Sequence, residues 1–133
     1  MAIISSSPEE PVKIAQLLKT QLKPNAVVAF LGELGAGKTT FIKGLAGPFA
    51  QSPTFTYLNV YAEKVPIYHF DLYRLKDWAA FTQMGFDEYF DLGGICLIEW
   101  AEKIKSFLPA HTLIVKITHL TDQQRQIEYV QKN

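Results

Sequence analysis

The chain has 133 residues, 48% of them apolar and 13% aromatic, and thirteen basic residues balance thirteen acidic ones. That is enough for one compact domain spanning 1–133 with its own core, and leaves no room for a second. A net charge of zero with two arginines, Arg74 and Arg125, carries no footprint of tight nucleic-acid binding, and no apolar run approaches the roughly 20 residues of a membrane-spanning helix.

The opening stretch MAIISSSPEEPVK lacks the basic flank and apolar run of a secretory signal. Residues 7–22 predict the first helix: Ser7 and Glu10 have capping-box spacing, and Ile14, Leu18 and Leu22 recur every four residues. Pro8 suits the first helical position, whereas Pro11 removes an early backbone donor and argues for a start one turn later. AVVAFLG (26–32) reads as a buried parallel strand, and a helix follows over 37–46 until GPFAQSP breaks it. In TFTYLNVY (54–61) the aromatics Phe55, Tyr57 and Tyr61 alternate with Thr54, Thr56, Leu58 and Val60, the period of a strand. VPIYHFDLY predicts another strand, less buried because it contains a histidine. Residues 76–91 predict a helix interrupted at Gly85, with Trp78, Phe81, Phe86, Tyr89 and Phe90 covering a core. GICLIEW is a second buried strand, and HTLIVKITHL with RQIEYVQK forms a closing hairpin. Cys96, the single cysteine, lies inside GICLIEW as a small buried hydrophobe, consistent with a reducing, cytoplasmic location. The order of elements predicts an α/β fold of the P-loop type, a central, mostly parallel or mixed sheet flanked by helices.

Gly32-x-x-x-x-Gly37-Lys38-Thr39 meets the full phosphate-loop pattern, with a buried strand before it and a helix after it. Gly35 and Gly37 let successive backbone N–H groups turn inward around phosphate oxygens at a helix N-terminus. Lys38 would reach the β and γ phosphates, and the Thr39 hydroxyl is the kind of oxygen ligand Mg²⁺ takes. The metal also needs a carboxylate at the end of a neighbouring strand, and Asp71 and Glu99 are the candidates. Four apolar residues precede Glu99, the way a buried strand delivers an acid to its carboxyl edge, so Glu99 is assigned to Mg²⁺ and Asp71 to positioning water or completing the metal shell. No N-K-x-D stretch reads guanine, which favours ATP.

GELGAGKTTFIKGL, SPTFTYLNVY, HFDLYRL and ICLIEWAEKI, in that order over residues 32–104, resemble the TsaE (YjeE) family, bacterial ATPases of tRNA threonylcarbamoyladenosine biosynthesis. The resemblance implies a slow P-loop ATPase that uses ATP and Mg²⁺ and acts on a TsaB–TsaD protein pair between rounds of modification of adenosine 37, meeting tRNA through that complex. Carried over, the phosphate loop is Gly35, Ala36, Gly37, Lys38, Thr39 and Thr40, the metal ligands are Thr39 and Glu99, and the family's important aspartate is Asp71. The resemblance further implies that Thr54, in a switch-like SPTFT segment, Trp100 and the C-terminal Arg125 lie near the nucleotide. The connection AGPFAQ ahead of SPTFT is short for the family, which limits how far Thr54 can travel. Two other classes fit the loop. A small-molecule kinase would need several arginines around the transferring phosphoryl group, and a nucleotide-sensing module would not need Asp71.

Overall fold

In the computed structural model the described residues are 2–7, 9–31, 36–48, 50, 51, 53, 56–122 and 124–132. Pro8, Gly32, Gly35, Thr54 and Phe55, each given a role above, lie outside them.

Among the described residues seven strands form one mixed sheet: β1 (Ala2–Ser5), β2 (Val27–Leu31), β3 (Leu58–Tyr61), β4 (Ile67–Asp71), β5 (Ile95–Glu99), β6 (Leu113–His119) and β7 (Arg125–Gln131), in the spatial order β1-β7-β6-β2-β5-β4-β3. The four central strands β6, β2, β5 and β4 run parallel, while β7 and β3 pair antiparallel on their outer sides. The expected fold class and closing hairpin are present. The strand β1, which the sequence reading missed, pairs with β7 from Ala2↔Glu128 to Ser5↔Arg125.

Helix α1 (Glu9–Lys19) begins later than residue 7. Pro11 is tolerated because it falls in the first turn, where backbone N–H groups have no intrahelical acceptor. The Glu10 carboxylate reaches back to accept the Ser6 N–H at 3.0 Å, one residue upstream of the capping box expected from Ser7. Helix α2 (Ala36–Ala46) matches the sequence reading to within a residue, and α1 packs on it where Gly44 brings the two backbones together. These helices cover one sheet face with Ala15, Leu18, Phe41 and Leu45 over Val28, Phe30, Ile67 and Leu97.

The opposite face carries α3 (Trp78–Gln83), capped by Asp77 through the Ala80 N–H at 2.9 Å, and two 3-10 helices, Phe86–Asp91 and Ala101–Phe107. Gly85, at φ 75°, makes the expected interruption. Phe81, Phe86 and Phe90 are buried here, while Trp78 and Tyr89 are half-buried against them. Two strand expectations need correction. Of the described residues of TFTYLNVY, 56–61, the strand begins at Leu58, because Tyr57 at φ 63° turns the chain. IYHFD is less buried than ICLIE only at its last residue, Asp71, and not at the histidine: Ile67 through Phe70 are buried, and His69 is accommodated because both ring nitrogens have polar partners. No helix among the described residues is long and apolar enough to cross a membrane.

Candidate active site

In a strand, residues two apart share a face. Residues 67, 69 and 71 of β4 and 95, 97 and 99 of β5 therefore face the α1/α2 layer, as the membership of Ile67, Ile95 and Leu97 in that core confirms. The parallel register pairs Asp71 with Glu99, the last residues of adjacent strands, so two carboxylates stand side by side at the carboxyl edge. Ligands of open α/β sheets bind at this edge, and α2 begins there, just after β2.

Lys38, in the first turns of α2, is only 3% exposed, and its Nζ lies 5.3 Å from the centroid of the Trp100 ring, within cation–π range. Burial pushes its pKa down, and Glu102, Glu99 and Asp71 oppose that shift. Glu99 is 6% exposed, and its Oε2 accepts a hydrogen bond from His69 Nε2 at 2.8 Å. Asp71 accepts the Tyr73 N–H at 3.0 Å. Burial nonetheless holds its carboxyl above the ordinary value, helped by Glu99 and opposed by the Tyr73 bond, His69 and Lys38. Thr39 is exposed and Thr40 half-buried on α2, and the backbones of Ala36 and Gly37 form its first turn.

Trp100 follows Glu99 in the left-handed region, at φ 59° and ψ 39°. A non-glycine residue there costs roughly 1–2 kcal/mol, and such strain clusters at functional sites. The turn sets the indole between the Tyr73 ring, at 4.9 Å, and Lys38. Lys38, Asp71, Glu99 and Trp100 thus converge.

Arg125 starts β7 opposite His119, the last residue of β6, and so lies at the same edge two strands from β2. Its Nη1 donates to the carbonyls of Thr121 and Gln124 at 2.9 and 3.0 Å, which ties it to its own hairpin loop. Arg74 is exposed in the loop after Asp71. The residue missed from sequence is His69. Its place two residues before Asp71, on the face shared with Glu99, was the signal.

The donor set suits a hard cation and phosphates: a hydroxyl on Thr39, paired carboxylates on Asp71 and Glu99, and a buried ammonium opposite them. Among the described residues no cluster of three or more His, Cys, Asp or Glu has metal-binding geometry.

The family model of the threonylcarbamoyl adenosine biosynthesis protein TsaE matches residues 5–127. A Bacillus subtilis tRNA threonylcarbamoyladenosine biosynthesis protein TsaE is 42% identical over 92% of this chain and 80% of its own length, and a Treponema pallidum protein of the same name is 38% identical over 96% and 98%. The crystal structure of YdiB from Bacillus subtilis superposes with a TM-score of 0.82 at 37% identity, covering all of this chain and 86% of that one. The chain therefore belongs to the TsaE family, whose members are named for tRNA threonylcarbamoyladenosine biosynthesis.

Proposed function

We propose that this chain binds ATP with Mg²⁺ and hydrolyses it slowly, in support of a TsaB–TsaD complex that threonylcarbamoylates adenosine 37 of tRNA. The observation that carries the reading is the meeting of Lys38 with the Asp71–Glu99 pair at the carboxyl edge where α2 begins. Lys38 would bring its charge to the β and γ phosphates, with the N-terminal N–H groups of α2 beneath them. The Thr39 hydroxyl and Glu99 would hold the metal. The chemistry the metal would supply there is positive charge against the phosphate oxygens. Asp71, made more basic than an ordinary carboxylate by burial, is suited to orient the attacking water and take its proton. The half-buried indole of Trp100 would wall the site beside Lys38.

Balanced charge and the presence of two arginines in the whole chain support action on a protein complex, with tRNA met through that complex. Slow turnover by the chain alone is part of this reading: of its two arginines, Arg74 is exposed and Arg125 is held by carbonyls of its own hairpin loop.

The test is release of labelled phosphate from Mg²⁺-ATP by the chain alone, by the chain with its TsaB–TsaD pair, and by Lys38→Ala. Turnover that rises with the pair and vanishes in Lys38→Ala is expected. Equal turnover with and without the pair would remove the partner, and label appearing on an organic acceptor would make the chain a small-molecule kinase.

A further inference from the structure

His69 is 1% exposed and has no part in the phosphate chemistry outlined above. A neutral imidazole has one N–H donor and one acceptor nitrogen, and burial requires a partner for each. This one has a polar side chain on each ring nitrogen. Nε2 donates to Glu99 Oε2 at 2.8 Å, across the diagonal from β4 to β5, and Nδ1 lies 3.4 Å from the hydroxyl of Tyr61, whose ring stacks on the imidazole at 6.2 Å between centroids. The contacts continue outward. The Tyr61 hydroxyl accepts the Gln51 N–H at 3.0 Å and faces the Gln51 carbonyl at 3.0 Å, while Asn59 Nδ2 donates to the same carbonyl at 2.9 Å. Gln51 belongs to the connection between α2 and β3.

We propose that His69 is a positioning residue that fixes the orientation of the Glu99 carboxylate, and that Tyr61 couples this hold to Gln51 in the connection leading out of α2. The coupling follows from proton counting. A tyrosine hydroxyl has one proton, and here two acceptors are within reach, the Gln51 carbonyl and His69 Nδ1. Committing it to one withdraws it from the other, so a displacement of Gln51 changes how firmly His69 is held, and a change at Glu99 is felt at Gln51. A carboxylate at the end of β5 has rotatable torsions, and a buried bond to one of its oxygens selects one orientation. The inference rests on the Mg²⁺-ATP reading, since the benefit of fixing Glu99 is to present it to a metal.

The test uses the full chain with Mn²⁺ as the metal probe and ADP as the nucleotide, following Mn²⁺ affinity by electron paramagnetic resonance and protection of the Gln51 amide by NMR hydrogen exchange. His69→Leu is expected to weaken Mn²⁺ binding about tenfold, the range typical of residues that orient metal ligands, with nucleotide affinity in the absence of metal unchanged. His69→Gln, whose amide can still donate to Glu99, should recover most of that loss, a rescue that a packing role would not produce. Tyr61→Phe keeps the ring and removes the hydroxyl. It should leave the melting temperature nearly unchanged and abolish the extra protection of Gln51 that Mn²⁺-ADP gives the parent chain. If His69→Leu fails to fold, Tyr61→Phe and His69→Gln decide the matter. Metal affinity unchanged in His69→Leu, or Gln51 protection unchanged in Tyr61→Phe, overturns the coupling while the nucleotide reading stands. Failure of the parent chain to bind Mn²⁺-ADP overturns both.

Discussion

The two faces of β4 and β5 share the same backbone and are both buried except at Asp71, yet their chemistry differs. Toward α1 and α2 the strands present Ile67, His69, Asp71, Ile95, Leu97 and Glu99; toward α3 and the 3-10 helices they present Tyr68, Phe70, Cys96 and Ile98. Phe70 alone meets Phe81, Phe86 and Tyr89, with centroids 5.6, 5.2 and 5.7 Å away, mostly in edge-to-face or tilted contacts. The first face sets ionisable groups in a row, which costs stability. The second is an interlocked aromatic layer that holds the strands in place while the first bears that cost. Functional groups on rigid strands are positioned more accurately than on loops, and the layer opposite supplies the rigidity.

The comparison breaks most directly at Phe70. Phe70→Ala should destabilise the fold by about 3–5 kcal/mol through lost burial and the cavity left among three rings. Urea denaturation followed by far-ultraviolet circular dichroism measures this, and a loss below about 1 kcal/mol would mean that the aromatic layer is not the scaffold. A smaller break is available on the other side of the sheet. A Cβ on Gly44 would stand 2.6 Å from the Ala15 methyl carbon and 2.7 Å from the Val12 carbonyl oxygen, so Gly44→Ala must push α1 off α2. Overpacking of this kind costs about 1–3 kcal/mol. Because α2 also carries Lys38, nucleotide affinity should fall along with the melting temperature. An unchanged affinity would show that the position of Lys38 is independent of the α1–α2 contact.

The legibility of these two faces in the sequence was unequal. The apolar runs of β2 and β5, the helix after the glycine loop and the interruption at Gly85 all follow from local rules of period and backbone freedom, and each was readable. Asp71 and Glu99 could be named because each ends a strand, Lys38 because it follows the last glycine of the phosphate-loop pattern, and Trp100 through the family resemblance. What remained hidden depended on partners distant in sequence. A histidine inside a strand reads as a mark of exposure until Glu99, thirty residues on, is known to meet its ring. Strand β1 is four residues long and becomes a strand by pairing with β7 at the other end of the chain. The positive φ of Tyr57 and Trp100 carries no glycine signature, so tertiary contacts, and not local preference, hold those turns.

Cys96 sharpens the contrast by titration. It is fully buried on the aromatic side, and burial pushes its thiol up to about 12 from an ordinary 9.0, with Asp91 adding to the shift. Between those values the folded chain holds a proton that the unfolded chain has lost, so this group leaves stability unchanged below about pH 9 and lowers it as pH rises toward 12. The slope is about 1.4 kcal/mol per pH unit. In urea at pH 8 and pH 10, Cys96→Ala should therefore lose about 1.4 kcal/mol less between the two values than the parent chain. An equal loss would place the alkaline sensitivity elsewhere. In the native state at neutral pH the thiol should also resist alkylation until the chain unfolds.

The smallest effect expected is the one that bears most on the ionisable face. Asp71 has a carboxyl raised above 3.8, chiefly by burial. Between 3.8 and that raised value the folded state binds more protons than the unfolded, so stability falls as pH rises through the window, and the deficit persists at neutral pH. Asp71→Asn removes the buried charge and keeps an oxygen for the Tyr73 N–H, so the ligand-free melting temperature should rise at pH 7 by about 2 °C, a modest gain because the group is partly open to solvent. The gain should shrink toward pH 4, where the parent's own carboxyl takes up its proton. On the function proposed above, phosphate release in the presence of the partner should fall at the same time, because the amide cannot take a proton from water. A variant that melts lower would mean that attraction to Lys38 outweighs burial and that this face stabilises the fold. A variant that melts higher and turns over less would mean that the carboxylate is kept for chemistry at a cost in stability, a cost that the aromatic face of the same two strands offsets.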